Sequence, residues 1–220
     1  MKQYEKIETI FARDIEGTKH LMPGVFRNPS VRFLASVSWD WTEKIDGTNI
    51  RVLWDGHGFV FGGRTDNANL PTSLVLRLNE IFLNNAVEEL FEQTFGDKEV
   101  LLFGEGYGAK IQKVGAHYIP DGVDFILFDV LINGNYQDRE NVENIARMVG
   151  IKVVPIVGYG SLYRALEFMK EHPQSRVAAE PLEMEGIVCR PHVEMRDRCG
   201  NRIIVKIKWE DIKEMMTEKV

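Results

Sequence analysis

Glu43-Lys44-Ile45-Asp46-Gly47-Thr48-Asn49 is the stretch on which the fold of this chain turns. It lies between two strand-like runs, residues 33–42 and 50–54, so it reads as a loop joining pleated segments. Two readings compete for it. In the first, Asp-Gly supplies a polar bend, Gly47 takes a backbone conformation that other residues avoid, and Lys44 is merely solvated. In the second, Lys44 is a covalent nucleophile, Gly47 lets the main chain approach a phosphate, and Asn49 fixes a sugar. A single short match does not separate them; the rest of the chain must.

Working outward, runs 50–54 and 59–61 flank Asp55-Gly56-His57-Gly58, a strong hairpin signal, and Gly62-Gly63-Arg64-Thr65 follows the second strand. Thr72 or Ser73 caps a predicted helix to about residue 95, with Leu74, Leu78, Ile81, Phe82, Leu90 and Phe91 on its buried face and Gly96 closing it. Two apolar runs follow, 100–107 and 123–132. Alternation puts Leu101, Phe103 and Glu105 on one face of the first, where a carboxylate needs a partner. In the second it sends Phe128 and Asp129 to opposite faces. Asp138 caps a helix ended by Gly150, and Ser161 caps another to about residue 172. Strands at 185–189 and 202–208 and a polar helix at 210–219 complete the chain. Upstream, 4–11 reads as a short strand, 19–29 as loop, and Arg13 with Asp14 as no more than a local ion pair. Antiparallel hairpins interrupted by single helices predict an α+β fold, and the absence of repeats or linkers predicts one domain over 1–220.

Composition excludes several classes. The 220 residues are 44% hydrophobic and 27% charged, ordinary for a globular protein. No apolar run approaches the ~18–20 residues that span a bilayer, so no membrane partner is expected, and a start without a signal-peptide core makes the cytoplasm the default. Cys189 and Cys199 form neither a disulfide framework nor a metal set. A net charge of −6 argues against a protein that coats nucleic acid, which would have to be gripped by a local patch. Near the end, Arg202-Ile203-Ile204-Val205-Lys206-Ile207-Lys208-Trp209 places Lys206 and Lys208 on one strand face and Ile203, Val205, Ile207 and Trp209 on the other. Paired cations suit a site where an anion offsets their repulsion, although an exposed strand face carries them equally well.

In order along the chain stand Lys44-x-Asp46-Gly47-x-Asn49, Arg64, Phe103-Gly104-Glu105, Phe128-Asp129, Glu185-Gly186-Ile187-Val188 and Lys206-x-Lys208. This series resembles the covalent nucleotidyltransferase superfamily of ATP-dependent ligases and mRNA capping enzymes, and is most similar to the RNA ligase 2 family. Asn49 is the discriminating residue, because DNA ligases and capping enzymes usually carry arginine there. The resemblance implies an ATP-grasp-like nucleotidyltransferase domain of antiparallel sheets flanked by helices. It also implies an ATP-dependent RNA ligase that joins 3′-hydroxyl and 5′-phosphate ends, as in RNA repair. A capping-type guanylyltransferase and a non-catalytic nucleotide- or RNA-binding relative are the alternatives; intact Lys44, Glu185, Lys206 and Lys208 argue against the latter.

By the same resemblance, Lys44 forms a lysyl–AMP, the AMP moves to an RNA 5′-phosphate, and a 3′-hydroxyl displaces it. A free lysine has a pKa of about 10.4, which leaves about one amine in 2,500 neutral at pH 7. Lys206, Lys208 and a magnesium (or manganese) ion would favour the neutral amine and stabilise charge developing on the α-phosphate. Asn49 and Glu105 would bind the ribose, Arg64 the ribose or the incoming phosphate, and Phe128 would stack on adenine. Main-chain groups around Glu43 and Ile45 would choose the base. Glu185 would bind the metal, and since magnesium keeps several waters, no ligand cluster is expected. Asp46 and Asp129 stay open between structural and functional roles. About a dozen residues follow Lys208, so neither the carboxy-terminal domain of larger relatives nor an OB domain is expected. RNA, as nicked duplex or broken ends, would then be held by residues such as Arg13, Lys19, Arg27, Lys110 and Lys113, or with a protein partner in place of that domain.

Overall fold

The computed structural model describes residues 1–217. Along the chain run β1 (Glu8–Thr9), β2 (Phe11–Arg13), β3 (Leu21–Phe26), α1 (Pro29–Leu34), β4 (Trp39–Lys44), β5 (Thr48–Trp54) and β6 (Phe59–Gly62). Next are α2 (Thr72–Phe82), α3 (Asn85–Phe95), β7 (Val100–Gly108), α4 (Gly115–Tyr118), β8 (Val123–Ile132), β9 (Asn135–Tyr136) and α5 (Arg139–Val149). The last are β10 (Lys152–Val153), β11 (Ile156–Gly160), α6 (Leu162–Lys170), β12 (Gly186–Pro191), β13 (Val205–Lys208) and α7 (Trp209–Thr217). The mixed α+β class expected from the sequence is the one observed. Among the described residues no helix is long and apolar enough to cross a membrane. The residues divide into two compact units. One comprises Met1–Glu5, Asp46–Val154 and Val177–Glu180; the other comprises Lys6–Ile45, Pro155–Arg176 and the chain from Pro181 on.

The first unit is built on a sheet of order β10-β8-β7-β5-β6, with β9 added to β8. Every pairing is antiparallel except β10 with β8. Alternation sorts its side chains onto two faces. Ile50, Val52, Trp54, Val100, Leu102, Phe125, Leu127 and Val130 pack with Leu74, Leu78 and Phe82 of α2, Phe91 of α3 and Ile145 of α5. Burying a large apolar side chain contributes roughly 1.5–3 kcal/mol, so this face holds the unit together. The opposite face carries Asn49 and Arg51 from β5 and Leu101, Phe103 and Glu105 from β7. There Leu101, Phe103 and Leu131 pack with Met1, Tyr4 and Phe128.

The second unit is built on a sheet of order β1-β13-β12-β4-β11, antiparallel apart from β1 with β13. Its core gathers Trp39, Trp41, Ile187, Cys189, Val205 and Ile207 with Leu162, Ala165 and Met169 of α6 and Ile212 of α7. Val205 and Ile207 are each 2% exposed, which leaves Lys206 and Lys208 on the other face, as the alternation predicts.

Several expectations are corrected. The strand expected over 33–42 begins only at Trp39, and residues 33 and 34 instead end a helix over 29–34, because the Asn28 side chain accepts the Ser30 N–H and Pro29 supplies a preset first turn. Within 19–29, β3 pairs with β2; a two-stranded ribbon leaves an open edge that tolerates Pro23. The long helix to residue 95 is two helices, since Asn84 accepts the Val87 N–H and caps α3 anew. Arg13 pairs with Asp211, not Asp14, whose carboxylate accepts the N–H groups of Gly17 and Thr18. The last strand starts at Val205, and of the helix predicted over 210–219, residues 218 and 219 lie outside the described residues. Phe128 is the extra residue of a bulge: Phe103 opposes Asp129 while Gly104 opposes Leu127. Phe128 and Asp129 therefore do not face apart, and both touch Tyr4.

Candidate active site

In the second unit β12 lies between β4 and β13, with Gly186 opposite both Lys44 and Lys208. Gly186 is required by this closeness, since a Cβ there would meet the Ile207 carbonyl oxygen and, at 2.9 Å, the Cα of Lys208. Glu185, just before it, has its main-chain oxygen bound by the Trp209 N–H at 2.9 Å. The Trp209 indole stacks on His172 at 3.6 Å, fixing the junction of β13 and α7. The outcome is a carboxylate shared by two amines. Lys44 Nζ donates to Glu185 Oε2 at 2.7 Å, and Lys208 Nζ lies 2.8 Å from Oε1.

Lys206 lies two positions before Lys208 on the same face and has a lowered pKa. Burial is the main cause, and repulsion from Lys44 and Lys208 adds to it; Glu8 and Asp211 offset it in part. Lys208 goes the other way. Burial acts against its charge, but the hydrogen bond and charge of Glu185, helped by Glu210 and Asp211, raise it. The group is thus three amines with one shared carboxylate, an arrangement with net positive charge that suits an anionic ligand such as a phosphate.

Glu43, on the core side of β4, is 1% exposed. Its carboxylate accepts the Ser175 hydroxyl and the Arg176 N–H. Burial raises its pKa, opposed by those two hydrogen bonds and by the Arg176 charge. The Glu43 N–H donates to the Pro155 carbonyl, so that main-chain donor is already engaged. Ile45 is buried, at 3% exposure.

The remaining predicted residues belong to the first unit. Asn49 and Glu105 are directly opposed on β5 and β7. Asn49 Oδ1 is buried with no hydrogen-bond partner among the described residues, the mark of an acceptor awaiting a donor. Gly47 does not have a positive φ; it is needed because a Cβ would strike the Gly106 carbonyl oxygen and Glu105 Cγ. The Asp46 N–H donates to the Tyr118 hydroxyl at 3.3 Å. The Phe128 ring meets Tyr4 edge-on at 5.0 Å, and the Tyr4 hydroxyl donates to Asp129 Oδ2 at 2.8 Å. Arg64 is exposed on the turn after β6 and makes no hydrogen bond or ion pair among the described residues. The structure thus brings together Lys44, Glu185, Lys206 and Lys208 in one unit, and Asn49 with Glu105 in the other.

Sequence reasoning missed the side chains that hold these groups in place: Tyr4, Ser175, Arg176, His172 and Arg51. Only Arg51 leaves a trace, being a charge inside an apolar strand in phase with Asn49.

The profile of the RNA ligase family matches residues 38–208. The chain belongs to the RNA ligase family. No curated protein matches this RNA ligase family member. Among solved structures, a variant of the Naegleria gruberi RNA ligase with ATP and Mn aligns over 97% of this chain and 58% of its own, at 16% identity and a TM-score of 0.66. The same organism's RNA ligase with PPi aligns over 99% and 65%, at 18% identity and a TM-score of 0.62. An archaeal ATP-dependent RNA ligase aligns over 96% and 49%, at 12% identity and a TM-score of 0.61. These likenesses establish the fold. The chain spans from about half to about two-thirds of the length of these three structures.

Proposed function

We propose that this chain is an ATP-dependent RNA ligase whose Lys44 captures AMP and passes it to an RNA 5′-phosphate. The observation that carries the reading is the Glu185 carboxylate held at 2.7 Å by Lys44 and at 2.8 Å by Lys208, with Lys206 alongside. A solvated lysine in a polar turn needs no such surroundings, whereas an amine that must meet a triphosphate does. In the first step Lys44 Nζ gives up its proton and attacks the α-phosphorus; the P–N bond forms and the bond to pyrophosphate breaks. Lys206 and Lys208 answer the negative charge that grows on the phosphoryl oxygens. In the second step an oxygen of the RNA 5′-phosphate displaces Lys44 from that phosphorus. In the third a 3′-hydroxyl attacks the 5′-phosphate and AMP leaves.

Asn49 and Glu105 are the candidates for the ribose hydroxyls; Asn49 Oδ1, buried without a partner, accepts from one of them. Phe128 supplies a ring for the adenine and Arg64 a free guanidinium for the ribose or a phosphate. Glu185 would hold a divalent ion. A hydrated magnesium or manganese takes only one or two protein carboxylates, so a single glutamate fits it. When bound, such an ion neutralises phosphate charge. RNA with nicks or broken ends is the proposed polymer substrate, and the chain is proposed to act as a single nucleotidyltransferase module.

Incubation with ATP and magnesium, followed by intact-mass measurement and peptide mapping, tests the reading. An AMP adduct on Lys44, absent from Lys44→Ala, is the expected result. Reversible ATP binding that never survives denaturation, or label taken from GTP in place of ATP, overturns it.

A further inference from the structure

Arg51 lies in the middle of β5, on the face that also carries Asn49, and is 0% exposed. A guanidinium cut off from water is costly unless its donors are answered. Here Nε donates to the Gly63 carbonyl at 2.6 Å, Nη1 to the carbonyls of Met1 at 2.8 Å and Lys2 at 3.3 Å, and Nη2 to Asp66 Oδ1 at 2.9 Å. Asp66 is the only carboxylate among these acceptors and its side chain is 65% exposed, so carbonyl dipoles carry much of the compensation. An apolar side chain would fill the same interior without that cost, so packing alone does not explain an arginine.

What the guanidinium fixes is the course of the chain at 63–66. One anchor falls on the residue before Arg64 and another two residues after it. Arg64 itself is exposed and makes no hydrogen bond or ion pair among the described residues. One arginine is thus spent wholly inside the protein, and the next one is left free on a turn that the first has pinned on both sides. Only a planar fork with several donors reaches these acceptors together; the single Nζ of a lysine does not.

We infer that Arg51 is a positioning residue: it sets the 63–66 turn so that the Arg64 guanidinium meets the substrate, and it acts on the reaction only through Arg64. The inference rests on the proposed role of Arg64 in binding ribose or phosphate.

A double-mutant cycle tests it. The rate and half-saturating ATP for protein–AMP formation, and the rate of AMP transfer to a 5′-phosphorylated RNA strand, are measured for wild type, Arg51→Lys, Arg64→Ala and the double variant. Arg64→Ala is expected to slow one of these steps by about tenfold or more, and Arg51→Lys to slow that same step by about 3- to 30-fold. The double variant should be no slower than Arg64→Ala alone. If the two losses multiply, Arg51 does not act through Arg64 and the inference falls, as it does if Arg51→Lys matches wild type. Should Arg51→Lys lose its cooperative melt, Asp66→Ala replaces it, since it removes only the exposed anchor. A slowing that vanishes in the Arg64→Ala background supports the inference; wild-type rates or multiplied losses overturn it. Failure of the function proposed above has a separate signature, no adduct on the wild type, and failure of the Arg64 role another, full activity of Arg64→Ala in both steps; each overturns the inference as well.

Discussion

Glu185→Ala leaves Lys44 and Lys208 without their shared carboxylate and close to Lys206, and the size of the effect follows from the geometry. Two unit charges 4 Å apart attract by about 4 kcal/mol at an effective dielectric constant of about 20. Most of that is offset by the cost of taking the ions from water. The three paired side chains keep 20–29% exposure, which places them between an exposed pair at about 0–1 kcal/mol and a fully buried one at about 3–5 kcal/mol when broken. A loss of about 2 kcal/mol is expected for Glu185→Ala, or roughly 4–8 °C in melting temperature for a chain of this size. Removing one amine as well, in Glu185→Ala with Lys208→Met, relieves repulsion. The double variant should therefore be more stable than the sum of the singles by about 1–2 kcal/mol. Urea unfolding of the four proteins reads this directly. Repeating it at about 1 M salt, where the screening length falls to about 3 Å, should restore part of the Glu185→Ala loss. Additivity within about 0.3–0.5 kcal/mol, with no response to salt, would refute the shared-carboxylate network.

Two further outcomes follow from the second unit. Gly186→Ala should cost about 1–3 kcal/mol, because its methyl group meets the Ile207 carbonyl and the Lys208 backbone rather than a side chain that can move aside; a loss below about 0.5 kcal/mol in urea unfolding would contradict that crowding. Glu43 has a raised carboxyl, so the folded chain holds this proton more tightly than the unfolded one. Its favourable contribution is complete below the unfolded value and is lost as pH rises through the folded value. The melting temperature of wild type relative to Glu43→Gln should consequently fall as pH rises above the ordinary glutamate range, and a difference independent of pH would rule out the raised value.

The sequence disclosed the features that depend on neighbours along the chain. The hairpin at Asp55–Gly58 is local: the Asp55 carboxylate accepts the N–H groups of His57 and Gly58, which is what that tetrapeptide promises. Alternation in β13 was readable because the interior selects Val205 and Ile207 and leaves Lys206 and Lys208 to the other face. The order of the short blocks from Lys44 to Lys208 sufficed for the family. The helix at 29–34 had a local signal that the strand reading passed over, Asn28 as cap followed by Pro29 in the first turn. What was hidden altogether depends on contacts between distant positions: nothing near Glu43 points to Ser175 and Arg176, more than 130 positions away. The fault at Leu83-Asn84 lay within an apolar pattern that continues on both sides, so periodicity alone carried the predicted helix straight through it.

The bulge in β8 has a consequence for transplanting this sheet. Before Phe128 the odd-numbered residues Phe125 and Leu127 point to the helices, whereas after it the even-numbered Val130 does, and Leu131 joins the cluster on the reverse side. The strand is written in two phases, and the aromatic ring occupies the slip between them. A designer who copied the ring and its neighbours onto a regular strand would send either Leu127 or Leu131 to the wrong layer. The spare residue has to travel with the ring, because the irregularity is itself what aims it.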